Sequence, residues 1–425
     1  MANVFVSYST QPQTYERSLQ WTTIARPHFI NWINLWRDRD IIKVVTGIRR
    51  CGKTTLLEIY RSILLKDGVS PSNLISINFE DPETPEFKNF RDAYQYIRTL
   101  MKGEGKHYVF LDEVQLVPDF ERLVDGLFAK KDCDIYITGS NSKFLAGELA
   151  TFLTGRYVEI QLYPLSFSEY TSVQSKNLSP DAAFQDYMRF GGFPMTALLP
   201  QSASIQTDYL SGILNTILYK DIAAKHGIRD LNIFQRLTSF IFDNIGNLLS
   251  VNKIAGTFKN NGFAINNKTI DSYLDLLCDA FLIHRARRYD IRGRELLKTN
   301  AKYYIADTGL RRLLLADKPS DLGRVLENIV YLELKRRYRE VFVGTFGVHE
   351  IDFVALENAV PHYYQVALTT REETTLVREL APLQAIRDNH PKILLTLDRD
   401  PPANFNGIKK INVIDFLLDP RALER

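Results

Sequence analysis

The chain has 425 residues, 24% charged and 45% hydrophobic, with a net charge of +3; it is long enough for two or three domains, and so mild a charge neither requires nor excludes a nucleic-acid partner. The three cysteines, Cys51, Cys133 and Cys278, lie too far apart for a metal-ligand cluster and fit a reduced compartment. No run approaches the roughly 18 apolar residues of a membrane span and the N-terminus has no leader pattern, so the expectation is a soluble, cytoplasmic protein with no membrane partner.

After an N-terminal extension, residues 1–25, an apolar strand at 41–46 runs into Gly47-Ile48-Arg49-Arg50-Cys51-Gly52-Lys53-Thr54, and a helix opens at Thr55. This is a complete phosphate-binding loop in its strand-to-helix setting, and it points to a nucleoside triphosphate. Gly47 and Gly52 let the main-chain N–H groups of Ile48, Arg49, Arg50, Cys51 and their neighbours converge on phosphates, and the helix adds its positive end. Lys53 is expected to reach the β and γ phosphates, and the Thr54 hydroxyl to take one place on Mg²⁺. Thr55 belongs to the same nucleotide-binding run.

A short strand at 73–81 carries Asn78 near its end. The next, at 107–113, is an apolar run that ends in Asp112 and Glu113, which is how a strand delivers carboxylates to the carboxyl edge of a parallel sheet. It reads as a Walker B segment, with Asp112 serving the metal and Glu113 polarising the attacking water. A strand at 134–138 runs into Gly139-Ser140-Asn141-Ser142, which places Ser140 or Asn141 to sense the γ-phosphate. Arg156 stands just before a further strand. It is either a catalytic arginine, in cis or from a neighbouring copy, or one half of a structural salt bridge.

Residues 166–248 carry helical spacing, broken at Gly191-Gly192 and Pro194, as in a helical lid; the glycine pair is either a hinge or a tight turn. Two helices and a hairpin over 249–312 suggest a winged helix, although its second helix presents Asp271, Ser272 and Asp275 outward, and repulsion between its acids and phosphates argues against direct base reading there. Between positions 284 and 302, Arg285, Arg287, Arg288, Arg292, Arg294, Lys298 and Lys302 give a local surplus of five positive charges. That hairpin is either a basic wing tracking DNA or a charged hairpin docked on the protein.

The order of phosphate loop, Asn78, Leu-Asp-Glu, Thr-Gly-Ser-Asn-Ser and Leu-Thr-Gly-Arg resembles AAA-type ATPases. It is most similar to prokaryotic ATP-binding proteins that join such a core to a C-terminal domain of uncharacterised function. Residues 164–170, Gly191-Gly192-Phe193-Pro194 and 302–310 extend the match over the chain from about Arg26. The resemblance implies an α/β fold: a P-loop core at 26–165, the helical lid, the winged-helix-like part and a C-terminal α/β domain at 313–425. It implies ATP and Mg²⁺ as ligands, hydrolysis through Lys53, Thr54, Asp112 and Glu113, Asn78 as a polar switch, and ring-forming relatives. The last domain resembles restriction endonucleases. Glu327, Asp352 and Gln365 match that pattern, but Ala367 stands where its lysine belongs, with Lys392 a substitute in space. The expectation is an ATPase that couples nucleotide state to DNA through a non-cleaving C-terminal half, with a protein partner as the alternative and an ATP-gated nuclease as a third reading.

Overall fold

The computed structural model describes residues 24–142, 153, 155–174, 178–315 and 321–419; the expected N-terminal extension lies outside these except for its last two residues. Helix α1 (Pro27–Trp36) starts at a proline, which suits a first turn whose N–H groups have no partner in any case. There follow β1 (Ile42–Thr46), α2 (Lys53–Lys66), β2 (Leu74–Asn78), α3 (Phe90–Leu100), β3 (His107–Asp112), α4 (Phe120–Ala129), β4 (Cys133–Gly139) and β5 (Tyr157–Gln161). The five strands form one parallel sheet in the order β2-β3-β4-β1-β5.

Both faces of that sheet are covered, which is why its strands read as continuous apolar runs rather than alternating ones. Val45 faces a cluster with Phe29 of α1 and Leu57 and Tyr60 of α2, while Ile42 and Val44 face Ile97 of α3 and Leu127 of α4. All strands point the same way, so β1, β3 and β4 deliver the residues that follow them to one edge.

Residues 166–248 are helical, as the spacing predicts: α5 (Phe167–Thr171), α6 (Pro180–Phe190), α7 (Pro194–Leu198), α8 (Ala203–Asn215), a π-helical continuation (Thr216–Ala224) and α9 (Leu231–Asp243). Next come α10 (Val251–Asn260), α11 (Asn267–Asp279) and a hairpin of β6 (Ile283–Asp290) and β7 (Glu295–Ile305). On α11, Ile270, Leu274 and Leu277 are buried while Asp271, Ser272 and Asp275 are exposed, matching the expected apolar face. The remainder is α12 (Thr308–Leu314), α13 (Leu322–Arg337), β8 (Glu340–Phe346), β9 (His349–Glu357), β10 (Val360–Ala367), α14 (Glu373–Ala385), β11 (Lys392–Thr396), β12 (Ala403–Phe405), β13 (Ile408–Asn412) and α15 (Val413–Leu418).

The hairpin is not a free-standing wing. Residues Arg288, Tyr289 and Asp290 pair in parallel with Val343, Gly344 and Thr345 of β8, so one eight-stranded sheet runs β12-β13-β11-β10-β9-β8-β6-β7 across the boundary expected between 312 and 313. Without that pairing β8 would carry a row of unpaired main-chain groups. A register shift between Arg287 and Arg288 bends β6 at the point where it leaves β8.

Candidate nucleotide-binding site

The phosphate loop leaves β1 at Gly47, whose φ is +148°; a Cβ there would lie 2.2 Å from the Leu162 carbonyl, so only glycine fits. Gly52, with φ +102°, caps the start of α2 in the left-handed region. Ile48 and Cys51 are buried; they anchor the loop and leave its main chain to face a ligand. Burial raises the Cys51 thiol above its ordinary value, so it is held protonated. Arg26, itself buried, backs the loop: it donates to the Cys51 carbonyl at 3.2 Å and to the Tyr163 carbonyl at 3.0 Å, and its Nε and Nη2 meet Glu169 at 3.0 and 2.9 Å. Sequence reading missed Arg26, because its partners lie on distant segments.

The expected chemistry converges at this edge. Lys53 Nζ lies 3.0 Å from the Gly47 carbonyl and 3.4 Å from Glu113 Oε1. The Thr54 hydroxyl donates to Asp112 Oδ2 at 2.6 Å. Glu113 sits in a left-handed turn, φ +51°, where its N–H donates to the Thr138 hydroxyl at 2.9 Å. Its carboxylate accepts from Ser140 at 3.0 Å and from Gln115 Nε2. Burial works against the Glu113 charge, but Lys53, Gln115 and Ser140 more than offset it and hold the carboxyl below its usual range. Thr138, which also donates to Asp112, and Gln115 are neighbours of these carboxylates that the sequence did not single out.

Asn78 stands level with Asp112 across the β2–β3 pair. Its side chain accepts from its own Glu80 N–H at 2.9 Å, so Ser140 and Gln115, rather than Asn78, hold Glu113. Asn141 is half-buried beside Ser140, and the loop they share is fixed by Ser142, whose N–H and hydroxyl reach Asp279 at the end of α11 at 2.7 and 2.9 Å. Thr55 is exposed on the first turn of α2, and Arg50 is exposed with φ +67°. Arg49 crosses the cleft, pairing with Glu80 at 2.6 Å and with Asp221 of the π-helical stretch at 3.0 Å. The cleft these residues border is about 1120 Å³ and is also lined by Glu113, Ser140, Tyr209 and Lys220.

Arg156 is not part of this cluster. Its carbonyl accepts from the Ile42 N–H, at the start of β1, so roughly 15 Å of strand separates it from the loop at the other end. Half exposed, it pairs with Asp125 at 2.6 Å.

A connection joins the loop to the C-terminal half. The Cβ position of Gly52 is 3.6 Å from the Pro194 ring, and Gly192 N–H donates at 2.6 Å to Asp307, which also caps α12 through Gly309 N–H at 2.9 Å. A Cβ on Gly191 would fall 1.8 Å from the same carboxylate. Of the two readings of the glycine pair, a packed tight turn is the one this geometry supports.

In the C-terminal half, Glu327, Asp352 and Gln365 do come together, and a lysine joins them. It is not Lys392, which donates to the Asp388 carbonyl at 2.6 Å at the far end of its strand. Lys302 of β7 reaches in instead, 3.0 Å from Glu327, 2.8 Å from Glu350 and 3.7 Å from Asp352. Tyr304 donates to Glu327 at 2.6 Å, Gln365 accepts from the Asp352 N–H at 3.3 Å, and Gln365 Nε2 donates to Glu379 at 3.1 Å. Burial opposes the Lys302 charge, yet Glu327, Asp352 and Glu350 hold its ammonium well above the ordinary range. Burial and Glu327 push the Asp352 carboxyl up, as three acids around one ammonium require.

Lys302 is therefore withdrawn from the basic segment. Arg285 is partly withdrawn as well, being paired with Asp275 at 2.8 Å, and Arg288 donates to Thr345 at 3.1 Å. Arg287, Arg292 and Arg294 remain exposed, with Arg292 lying over the Phe346 ring.

The parallel sheet, the phosphate loop and the acids on the neighbouring strand define a P-loop ATPase core of the AAA type. The AAA domain family matches residues 39–171, and a domain of unknown function (DUF8612) matches residues 181–321. The chain belongs to one family with an uncharacterized protein of Haemophilus influenzae, 40% identical over 93% of this chain and 98% of that protein. An uncharacterized protein of Methanocaldococcus jannaschii is 28% identical over 88% of this chain and 85% of its own length. Among solved structures, the Walker-type ATPase of Pyrococcus abyssi aligns with a TM-score of 0.46 at 14% identity, covering 68% of this chain and 95% of that one. The Orc1 protein of Aeropyrum pernix in complex with DNA gives 0.32 at 12% identity, over 75% and 97%. Likeness at that level carries no argument about partners. Among the described residues no helix is long and apolar enough to cross a membrane.

Proposed function

We propose that the chain is an Mg²⁺-dependent ATPase whose nucleotide state governs the engagement of a protein partner by its C-terminal half. The observation that carries the enzymatic part is the Glu113 carboxylate, 3.4 Å from the Lys53 ammonium and 3.0 Å from the Ser140 hydroxyl, directly after the Asp112 that Thr54 touches. The main-chain N–H groups of the loop and the Lys53 ammonium suit the β and γ phosphates. Thr54 and Asp112 form an all-oxygen pair that suits Mg²⁺, a hard cation satisfied by one or two protein oxygens with water and phosphate for the rest. Bound there, the metal supplies positive charge to the phosphate oxygens. Glu113, ionised at neutral pH, orients the attacking water and takes its proton, while Ser140 and Gln115 keep the carboxylate aimed.

Arg156 stands at the wrong edge to serve its own chain. As a catalytic arginine it would act on a neighbouring copy in a homo-oligomer; otherwise its pair with Asp125 is structural.

The arginines favour a protein partner over DNA. Affinity for a phosphate backbone grows with the number of phosphates neutralised, and burial of Lys302 with the pairing of Arg285 and Arg288 leaves, among the cations of that segment whose side chains are described, Arg287, Arg292 and Arg294 for that task. DNA binding through those three is the second reading. Cleavage is the third reading: Lys302 brings an ammonium to Glu327 and Asp352, but it is buried and ion-paired to Glu327 and Glu350 rather than free to activate a water.

Steady-state ATP turnover of wild type and Lys53→Ala, with and without single- and double-stranded DNA at two salt concentrations, tests both parts. Lys53-dependent turnover indifferent to DNA supports the reading given first. DNA stimulation that fades with salt moves the partner to nucleic acid, and turnover that survives Lys53→Ala removes the assigned site.

A further inference from the structure

Strand β5 is the edge of the ATPase sheet: it pairs with β1 and, among the described residues, with no other strand. The Arg156 carbonyl and the Leu162 N–H both point to β1. Main-chain groups alternate sides along a parallel strand, so the N–H and C=O groups of Tyr157, Glu159 and Gln161 point outward. They do not open onto a flat surface. A groove of about 870 Å³ runs along them, lined by Trp32 and Trp36 of α1 on one side and by Lys335, Tyr338 and Arg339 at the end of α13 on the other.

The walls differ in chemistry. Ile160 lies in the same apolar cluster as Phe29, Ile33 and Trp32 of α1. Glu159, whose side chain points to the opposite face, is within electrostatic reach of Arg339 and is itself engaged by the Thr46 hydroxyl at 2.7 Å. Lys335 donates to the Arg339 carbonyl at 3.3 Å, and among the described residues neither Lys335 nor Arg339 forms an ion pair. Arg336, on the same wall, has a buried Nε without a hydrogen-bond partner among the described residues, as has the Trp36 ring nitrogen. One wall is aromatic and apolar; the other carries Lys335 and Arg339, which lie near Glu340 and Glu159 without forming an ion pair among the described residues.

We propose that an extended, acidic segment of a protein partner adds to β5 as a sixth strand, its alternate side chains apolar toward Trp32 and Trp36 and acidic toward Lys335 and Arg339. The main chain would supply affinity and the alternating pockets the specificity, as in other strand-addition complexes. A single strand of nucleic acid could stack on the aromatics and meet the cations, but it could not satisfy a ladder of outward N–H and C=O groups. The inference rests on the protein-partner reading above and places that partner between the ATPase sheet and the C-terminal half.

The probe is a fluorescein-labelled eight-residue peptide alternating glutamate with valine, titrated against the full chain by anisotropy at two salt concentrations. Its controls are the same peptide with lysine for glutamate, the same peptide N-methylated at alternate amides in either register, and an oligothymidine. The expected result is saturable, salt-sensitive binding of the acidic peptide, lost with lysine and weakened by N-methylation in one register. Arg339→Glu should weaken it about tenfold or more, by analogy with charge pairs at interfaces. Glu159→Thr and Glu159→Pro both remove the carboxylate, but only the proline removes an outward N–H, and an edge strand tolerates it; the proline should bind about five- to tenfold more weakly than the threonine.

No saturable binding, equal binding of the lysine peptide, indifference to N-methylation in both registers, or displacement by oligothymidine at lower concentration would each overturn the proposal. If Glu159→Pro no longer binds nucleotide, its fold is lost and the N-methylated peptides decide alone. Peptide binding by a chain without Lys53-dependent turnover would retain this groove and remove the ATPase assignment; the reverse pattern would do the opposite.

Discussion

The main-chain N–H of Gly192 donates to the Asp307 carboxylate at 2.6 Å across 115 residues of chain. Pro194, two residues further on, packs against Gly52 of the phosphate loop, so the loop and the cap of α12 share one buried turn. Under the proposed function this contact is the route by which a loop that moves on binding phosphates would reach the C-terminal half.

Gly191→Ala should destabilise the protein by ~3 kcal/mol or more, since it forces a side chain into a left-handed turn and against a carboxylate. Asp307→Ala should cost about as much, because it leaves the buried N–H groups of Gly192 and Gly309 without an acceptor, at roughly 1–3 kcal/mol each. Urea unfolding measures both. Changes within ~0.5 kcal/mol of wild type would mean that the turn is not a structural joint.

Glu113→Gln should bind ATP with little change while turnover falls by about 10² to 10⁴, the range expected for loss of a general base. Lys53→Ala should lose binding itself. Nucleotide binding by fluorescence beside single-turnover hydrolysis separates the two effects.

Lys302→Met should destabilise the chain by about 3 kcal/mol, because it strips a buried carboxylate cluster of its cation. Thermal unfolding with and without Mn²⁺ provides the check: metal should recover part of the loss in the variant and do nothing for the wild type.

His284 is partly buried beside the Tyr163 and Tyr331 rings; burial first, then the Lys335 and Arg336 charges, lowers its pKa from 6.5 to about 3. The unfolded chain then takes up a proton below about pH 6.5 that the native state refuses. Stability should be fully present above that pH and decline as the pH falls toward 3. Asp398 adds to the loss at lower pH: burial opposes its charge, but Thr369, Thr370 and Lys410 outweigh burial and hold its carboxyl below the usual range. Denaturant midpoints at pH 7.5 and pH 5 for wild type and His284→Phe test the first part, and the variant should show the smaller difference.

The sequence by itself marked the candidate nucleotide-binding residues. A phosphate cradle needs consecutive N–H groups and a helix end, so its residues are contiguous from Gly47 to Thr55. The acids of the next site close a strand whose apolar run is visible in one dimension. The helix periods of residues 166–248 and the apolar face of α11 were legible for the same reason, being patterns of near neighbours. Only the tertiary structure decided what depends on packing between distant segments. It set Arg26 behind the loop, gave Glu113 to Ser140 and Gln115 instead of Asn78, put Arg156 at the far edge of the sheet, and turned Lys302 from an apparent surface cation into the buried partner of Glu327. Local pattern reports which face of an element is apolar, but it does not say which other element covers that face. For a lysine, that neighbour decides whether the charge meets water, a phosphate or a carboxylate.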